Sequence, residues 1–170
     1  MAYLIDADVL IEAKNRYYGF DFCPGFWDWL VRKLAAGEVL SVERVGQELA
    51  AGNDNLSAWA ANQGPAFFVP PNANTVTAMA TVSASVRTMS VNGQQYLPAA
   101  VTKFLGDADY YLIAHALAHR DIVVTNEFGH PGGQQASVKT LKIPDVCNSV
   151  GVQCVSVFKM LRDGGAILIL

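Results

Sequence analysis

Apolar positions recur along the chain in two ways. Short unbroken runs predict strands at Tyr3-Leu4-Ile5, at Val39-Leu40 and at Ile122-Val123-Val124-Thr125, the last of the type buried inside a parallel sheet. Between them, apolar residues spaced by three and four predict helices over residues 9–15, 26–36, 42–52, 56–62, 75–89 and 107–120. The helix over 107–120 has the strongest pattern, with Leu112, Ile113, Ala116 and Leu117 on one stripe. Gly37 supplies a helix stop, and Ser41 and Ser156 read as N-caps. Residues 66–69 form a further apolar run, closed by Pro70-Pro71. Two more short strands are expected at Leu141-Lys142-Ile143 and Gln153-Cys154-Val155, followed by a last helix over 157–162. Residues 91–95 read as a turn-rich gap, residues 126–135 as a polar Gly-rich loop, and the apolar tail 166–170 as an edge strand or a packed end. Alternating strands and helices predict the α/β class, with residues 1–170 as one domain.

Composition narrows the class. Apolar residues make up 52% of the chain and charged residues 16%, as expected of a well-buried globular protein. No apolar run approaches the roughly 20 residues that span a bilayer, so no membrane role is expected. The first residues lack a basic segment and meet Asp6 too soon for a signal peptide. Cys23, Cys147 and Cys154 form no CxxC pair, which argues against a zinc site and for a reducing cytoplasm. The net charge of −3 does not exclude a nucleic-acid partner, because four carboxylates committed to a metal site would leave the rest at +1.

The candidate chemistry lies in acids at recurring positions. Asp6 ends the first strand, Glu48 borders the buried face of the helix after the second, Asp109 shares the stripe of Ile113 and Ala116, and Glu127 follows the strand ending at Thr125. Open α/β sheets bind ligands at the C-terminal ends of their strands. Four carboxylates converging there would repel one another, and a hard divalent cation such as Mg²⁺ or Mn²⁺ relieves that repulsion with an all-oxygen shell. Each acid also has a plainer role open to it. Asp6 or Asp8 would serve as a helix cap, Glu48 as a solvated residue, Asp107 as the N-cap of the next helix and Glu127 as a loop acid.

The ordered segments LIDADVLIEA (4–13), SVERVGQEL (41–49), DADYYLIAHALAH (107–119) and IVVTNE (122–127) together resemble the PIN-domain nucleases. Residues 11–30 and 142–162 bring the likeness closest to a bacterial, toxin-type subgroup of PIN-like proteins. The resemblance implies a three-layer α/β/α sandwich on a mainly parallel five-stranded sheet and Mg²⁺- or Mn²⁺-dependent hydrolysis of RNA. It implies a toxin role with a protein antitoxin as partner and leaves room for a homodimer. Asp6, Asp109 and Glu127 would hold one or two ions, and Glu48 would complete the set or orient water. Asp8, Asp107, Thr125 and Asn126 stand behind them as reserve donors. Asp8 replaces a usual Ser, Thr or Asn, and Glu127 replaces a usual Asp, Asn or Ser.

Other patterns compete. Asp6-Ala7-Asp8 also resembles the DxD of haloacid-dehalogenase-type phosphatases, but Thr125 comes after Asp107 and Asp109 rather than before. A PIN-fold binding module without catalysis is a further alternative. His115 and His119 are spaced like zinc ligands yet lack the glutamate of an HExxH helix, and are expected as partly exposed helix residues. His130 has no evident partner in the sequence. Seven aromatics between Tyr17 and Trp29 offer core packing (expected for Phe26 and Trp29), base stacking or a partner surface. Lys14, Arg16 and Arg44 are the candidate phosphate contacts.

Overall fold

In the computed structural model, which describes residues 1–130 and 137–168, the first strand β1 (Tyr3–Ile5) leads straight into helix α1 (Ala7–Glu12) and a π-helical turn (Ala13–Tyr17). Then come α2 (Pro24–Ala35), β2 (Val39–Val42), α3 (Glu43–Ala50), α4 (Asn55–Phe67), β3 (Phe68–Val69) and α5 (Ala73–Thr88). A small hairpin, β4 (Ser90–Val91) and β5 (Gln94–Gln95), precedes α6 (Pro98–Gly106) and α7 (Ala108–His119). The chain closes with β6 (Ile122–Val124), α8 (Ile143–Val150), β7 (Cys154–Val155) and α9 (Val157–Asp163). The Gly-rich loop is described as far as His130. Its remainder to residue 135 and the last two residues of the apolar tail lie outside the described residues.

Five strands form one sheet in the order β3-β2-β1-β6-β7, with every neighbouring pair parallel. Helices cover the sheet, giving the expected three-layer α/β/α architecture. Strands buried on both faces must be apolar throughout, and Leu4, Ile5, Val39, Val123 and Val124 are almost wholly buried. The chain builds the sheet outward from β1 through β2 to β3, then returns to the other side of β1 with β6. The strand order therefore reverses between β1 and β6, and at such a switch point an open α/β sheet forms its ligand crevice.

Several elements differ from the sequence reading. Ser41 lies inside β2 and caps nothing. Its hydroxyl is buried and donates to the Ile5 carbonyl at 2.6 Å, while Val42 takes the N-cap position of α3. Leu141 and Lys142 are not in a strand, because Ile143-Pro144 opens α8 with proline in the first turn, where its missing N–H costs nothing. Helices α6 and α8 are additions to the sequence reading. For α6 the signal was Pro98 ahead of Ala100, Val101 and Phe104, all buried. Residues 91–95 form a hairpin, with Asn92 (φ 51°) and Gly93 (φ 75°) supplying the two left-handed positions of a tight two-residue turn. Phe26 and Trp29 are in the core, as expected, and so is Trp27. Among the described residues no helix is long and apolar enough to cross a membrane.

Helix α3 approaches β3 through Gly46, where an added Cβ would lie 2.8 Å from Cγ of the buried Phe68. The Gly46→Ala variant is expected to lose about 1–3 kcal/mol by overpacking. Its urea midpoint should fall at unchanged m-value; an unaltered midpoint would remove the close approach as a constraint on α3.

Candidate metal centre

The two strands at the switch point deliver the first acid and its partner. Asp6 follows β1, and its backbone N–H donates to the Val124 carbonyl at 3.0 Å. Thr125 follows β6, and its hydroxyl donates to Asp6 Oδ2 at 2.9 Å. Both residues are 3% exposed. The same hydroxyl accepts the Glu127 N–H at 3.1 Å, so one threonine orients the acid beside it and the loop that follows. Asp6 occupies the N-cap position of α1 without making a capping bond, so its carboxylate is not used as a helix cap. Asp107 stands at the N-cap of α7, also without a side-chain cap bond.

Asp6, Asp8, Glu48, Asp107, Asp109 and Glu127 line one cavity of about 290 Å³. Asp8 and Asp109 lie in the first turns of α1 and α7, where the helix dipole favours negative charge. Glu48 reaches the cavity from α3, which packs against both helices. Lys103 of α6 also lines it, a residue that the sequence reading passed over with its helix. Among the described residues no three His, Cys, Asp or Glu side chains form a group that could hold a metal ion as they stand.

The electrostatics reflect this crowding. Burial pushes Asp6 well above the usual carboxylate range, and Asp109 adds to the rise, while the Thr125 hydrogen bond opposes it. Asp109 is pushed up to about 7, first by burial and then by Glu127, Asp107, Glu48 and Asp8. Asp8 is raised by burial and by Glu127, and Glu48 by burial and by Asp8. These acids therefore feel one another's charge. All the donors are carboxylate oxygens, which suits a hard divalent cation and no soft one.

Glu127 is held differently. One carboxylate oxygen takes Lys142 Nζ at 2.8 Å, and the other takes the Ile143 N–H at 2.9 Å, the first turn of α8. That bond raises the Lys142 pKa. The loop is tied down again three residues later, where the His130 backbone N–H and ring Nδ1 both meet Asp145, the latter at 2.6 Å. Gly129 permits this approach, since a Cβ there would lie 2.7 Å from Asp145 Oδ1. His130 thus has the partner that the sequence did not reveal.

The remaining expected residues lie elsewhere. Asn126 donates to Glu12 at 2.7 Å, and neither it nor Thr125 lines the acidic cavity. Lys14 is ion-paired with Asp54 at 2.5 Å. Arg44 stacks 4.7 Å over the Tyr111 ring, and Arg16 meets Glu12 at 3.4 Å. None of these three basic residues lines the acidic cavity. His115 is buried rather than partly exposed. It sits 3.4 Å from the Thr75 hydroxyl, its pKa lowered by burial and by His119.

A family model described as "Domain of unknown function (DUF4411)" matches residues 3–168, and the chain belongs to that family. No curated protein and no solved structure matches it.

A carboxylate whose pKa is raised by folding stabilises the protein in its protonated form. That contribution is complete below the unfolded value near 4 and is lost as pH rises through the folded value, about 7 for Asp109. In EDTA the wild type should lose stability between pH 4 and 7. Asp109→Asn should flatten that slope and raise the melting temperature at pH 7.5, by about 2–4 °C for each kcal/mol of repulsion relieved. Parallel stability curves for the two proteins would contradict the crowding of Asp109.

Proposed function

We propose that this member of the DUF4411 family is a Mg²⁺- or Mn²⁺-dependent endoribonuclease of the PIN-like type. One observation carries the reading: six carboxylates line a single cavity at the switch point of a parallel sheet, and the charged forms of Asp6, Asp8, Glu48 and Asp109 are disfavoured there. Such a cluster destabilises a protein unless a cation compensates it. Asp6, Glu48, Asp109 and Glu127 are the residues that would hold the ion. When bound, it supplies positive charge to the scissile phosphate and acidifies an attacking water. Thr125 holds Asp6 in one orientation throughout. Asp109, pushed up to about 7 by burial and its acidic neighbours, would give up its proton on taking the ion. Lys103 provides a cation at the cavity wall for a backbone phosphate. Lys142 neutralises Glu127. The four sequence segments that resemble PIN nucleases support RNA as substrate and hydrolysis to 5′-phosphate and 3′-hydroxyl ends. They alone support the finer expectations of a toxin role and a protein antitoxin, whereas the cytoplasmic expectation rests on the three scattered cysteines.

A second reading, a PIN-fold binding module without catalysis, is favoured by the state of Glu127, whose two oxygens already have partners. Cleavage of a mixed-sequence single-stranded RNA in Mg²⁺, Mn²⁺ or EDTA separates the two. The nuclease should be silent in EDTA and lose at least about 100-fold in Asp6→Ala and Asp109→Ala, the scale of removing charge stabilisation from a transition state. Activity that survives EDTA or both substitutions would refute it. Metal-independent RNA binding with no cleavage by the wild type would leave the binding module.

A further inference from the structure

A larger cavity, of about 540 Å³, shares Glu127 with the acidic one, so this residue forms a rim common to both. Its volume falls in the range of about 300–1,000 Å³ typical of small-molecule sites. Three aromatic rings line it from three separate parts of the chain: Tyr17 at the end of the π-helical turn, Phe128 in the loop after β6, and Phe158 on α9. Each remains exposed, Phe128 to 89%. Tyr17 and Phe158 meet edge to face with centroids 6.0 Å apart. Single exposed apolar residues are ordinary, but three rings on one cavity make an exposed patch among the described residues.

The same cavity has a polar side. Asn126 and Arg16 both bond to Glu12, one to each carboxylate oxygen, and the Arg16 side chain is 67% exposed. A ligand for this lining needs apolar planar faces, an edge with hydrogen-bonding groups, and an adjoining anion. An apolar peptide would satisfy the rings and leave Arg16, Glu12 and Asn126 without use. An unpaired nucleobase on its phosphate backbone meets all three needs.

We infer that this cavity is a nucleobase subsite, contiguous with the acid cluster, for single-stranded RNA. The unpaired base stacks on one ring of the Tyr17, Phe158 and Phe128 group with the others against its sides, its polar edge meets Glu12 and Asn126, and Arg16 contacts the neighbouring phosphate. The identity of the ligand rests on the nuclease reading, whereas the stacking surface does not. A base held inside a duplex has no free face to offer, so the subsite selects single strands.

The test separates the two ideas. Asp6→Asn protein, which should bind without cutting, is titrated with a fluorescein-labelled adenosine octaribonucleotide, with a copy carrying a central 2-aminopurine, and with the octamer annealed to its complement. AMP is titrated into the wild type in EDTA. Binding with quenching of 2-aminopurine is expected, along with at least about tenfold weaker binding of the duplex. Tyr17→Ala/Phe158→Ala should weaken the single strand about tenfold or more, the effect of removing base–aromatic stacking. Phe158→Tyr should restore most of the affinity. Because these rings are exposed, unchanged thermal melts should accompany the loss. Equal affinity in the ring variants, a preference for duplex, or failure of both octamer and AMP to bind would overturn the subsite. So would ring-dependent self-association without RNA binding, which would make the patch a protein interface. Ring-dependent binding of AMP and octamer in a protein that never cleaves RNA would sustain the subsite and sink the nuclease. Metal-dependent cleavage with binding and KM unaffected by the ring variants would do the reverse.

Discussion

The hydrogen bond from Thr125 to Asp6 joins the ends of the two parallel strands between which the strand order reverses. It spans 119 residues of sequence and is wholly buried. A carboxylate in that position has lost most of its water, and the threonine hydroxyl is the neutral donor that limits the penalty. The rest of the acidic cavity is arranged around this fixed point. Helices α1 and α7 bring their first turns to it, α3 brings Glu48, and the loop after β6 is anchored on the same hydroxyl. Repulsion among these carboxylates runs against stability, and its persistence in a well-packed protein sets this corner of the molecule apart from the core.

Much of this was legible in the sequence, for a physical reason. A parallel strand buried on both faces must be continuously apolar, so an acid directly after such a strand is conspicuous. Asp6 and Glu127 could be found that way, and Asp109 by its place on the helix with the strongest stripe. Less legible were features that depend on what a side chain meets across the fold. Ser41 has the residue type of a cap, yet its hydroxyl is used to donate to the Ile5 carbonyl on the neighbouring strand. His115 and His130 became intelligible only through Thr75 and Asp145, residues distant in sequence. Lys103 was missed because its helix is short and begins in a stretch of mixed character, although Pro98 and the buried triplet behind it were signals.

The basic residues mark the clearest limit of sequence reasoning. Lys14, Arg16 and Arg44 are close in sequence to Asp6 and Glu48, but closeness in sequence says little about which way a long flexible side chain turns. Each meets a different local partner: a carboxylate on another helix, a carboxylate one turn earlier, and a tyrosine ring. Only Arg16 opens onto a cavity large enough for a ligand, and that cavity adjoins the acids through Glu127.

The short segment from Thr125 to His130 is fastened at both ends. Glu127 is fixed to Thr125, Lys142 and Ile143, and His130 to Asp145, with Gly129 allowing the close approach. Phe128 lies between these anchors with its ring in solvent. Exposure at this position is therefore not looseness. The backbone entropy of ordering the ring's position is lost when the protein folds, not when something binds to it. Helix α8, which carries Asp145 and offers the Ile143 N–H, is in effect the jig that holds that ring out.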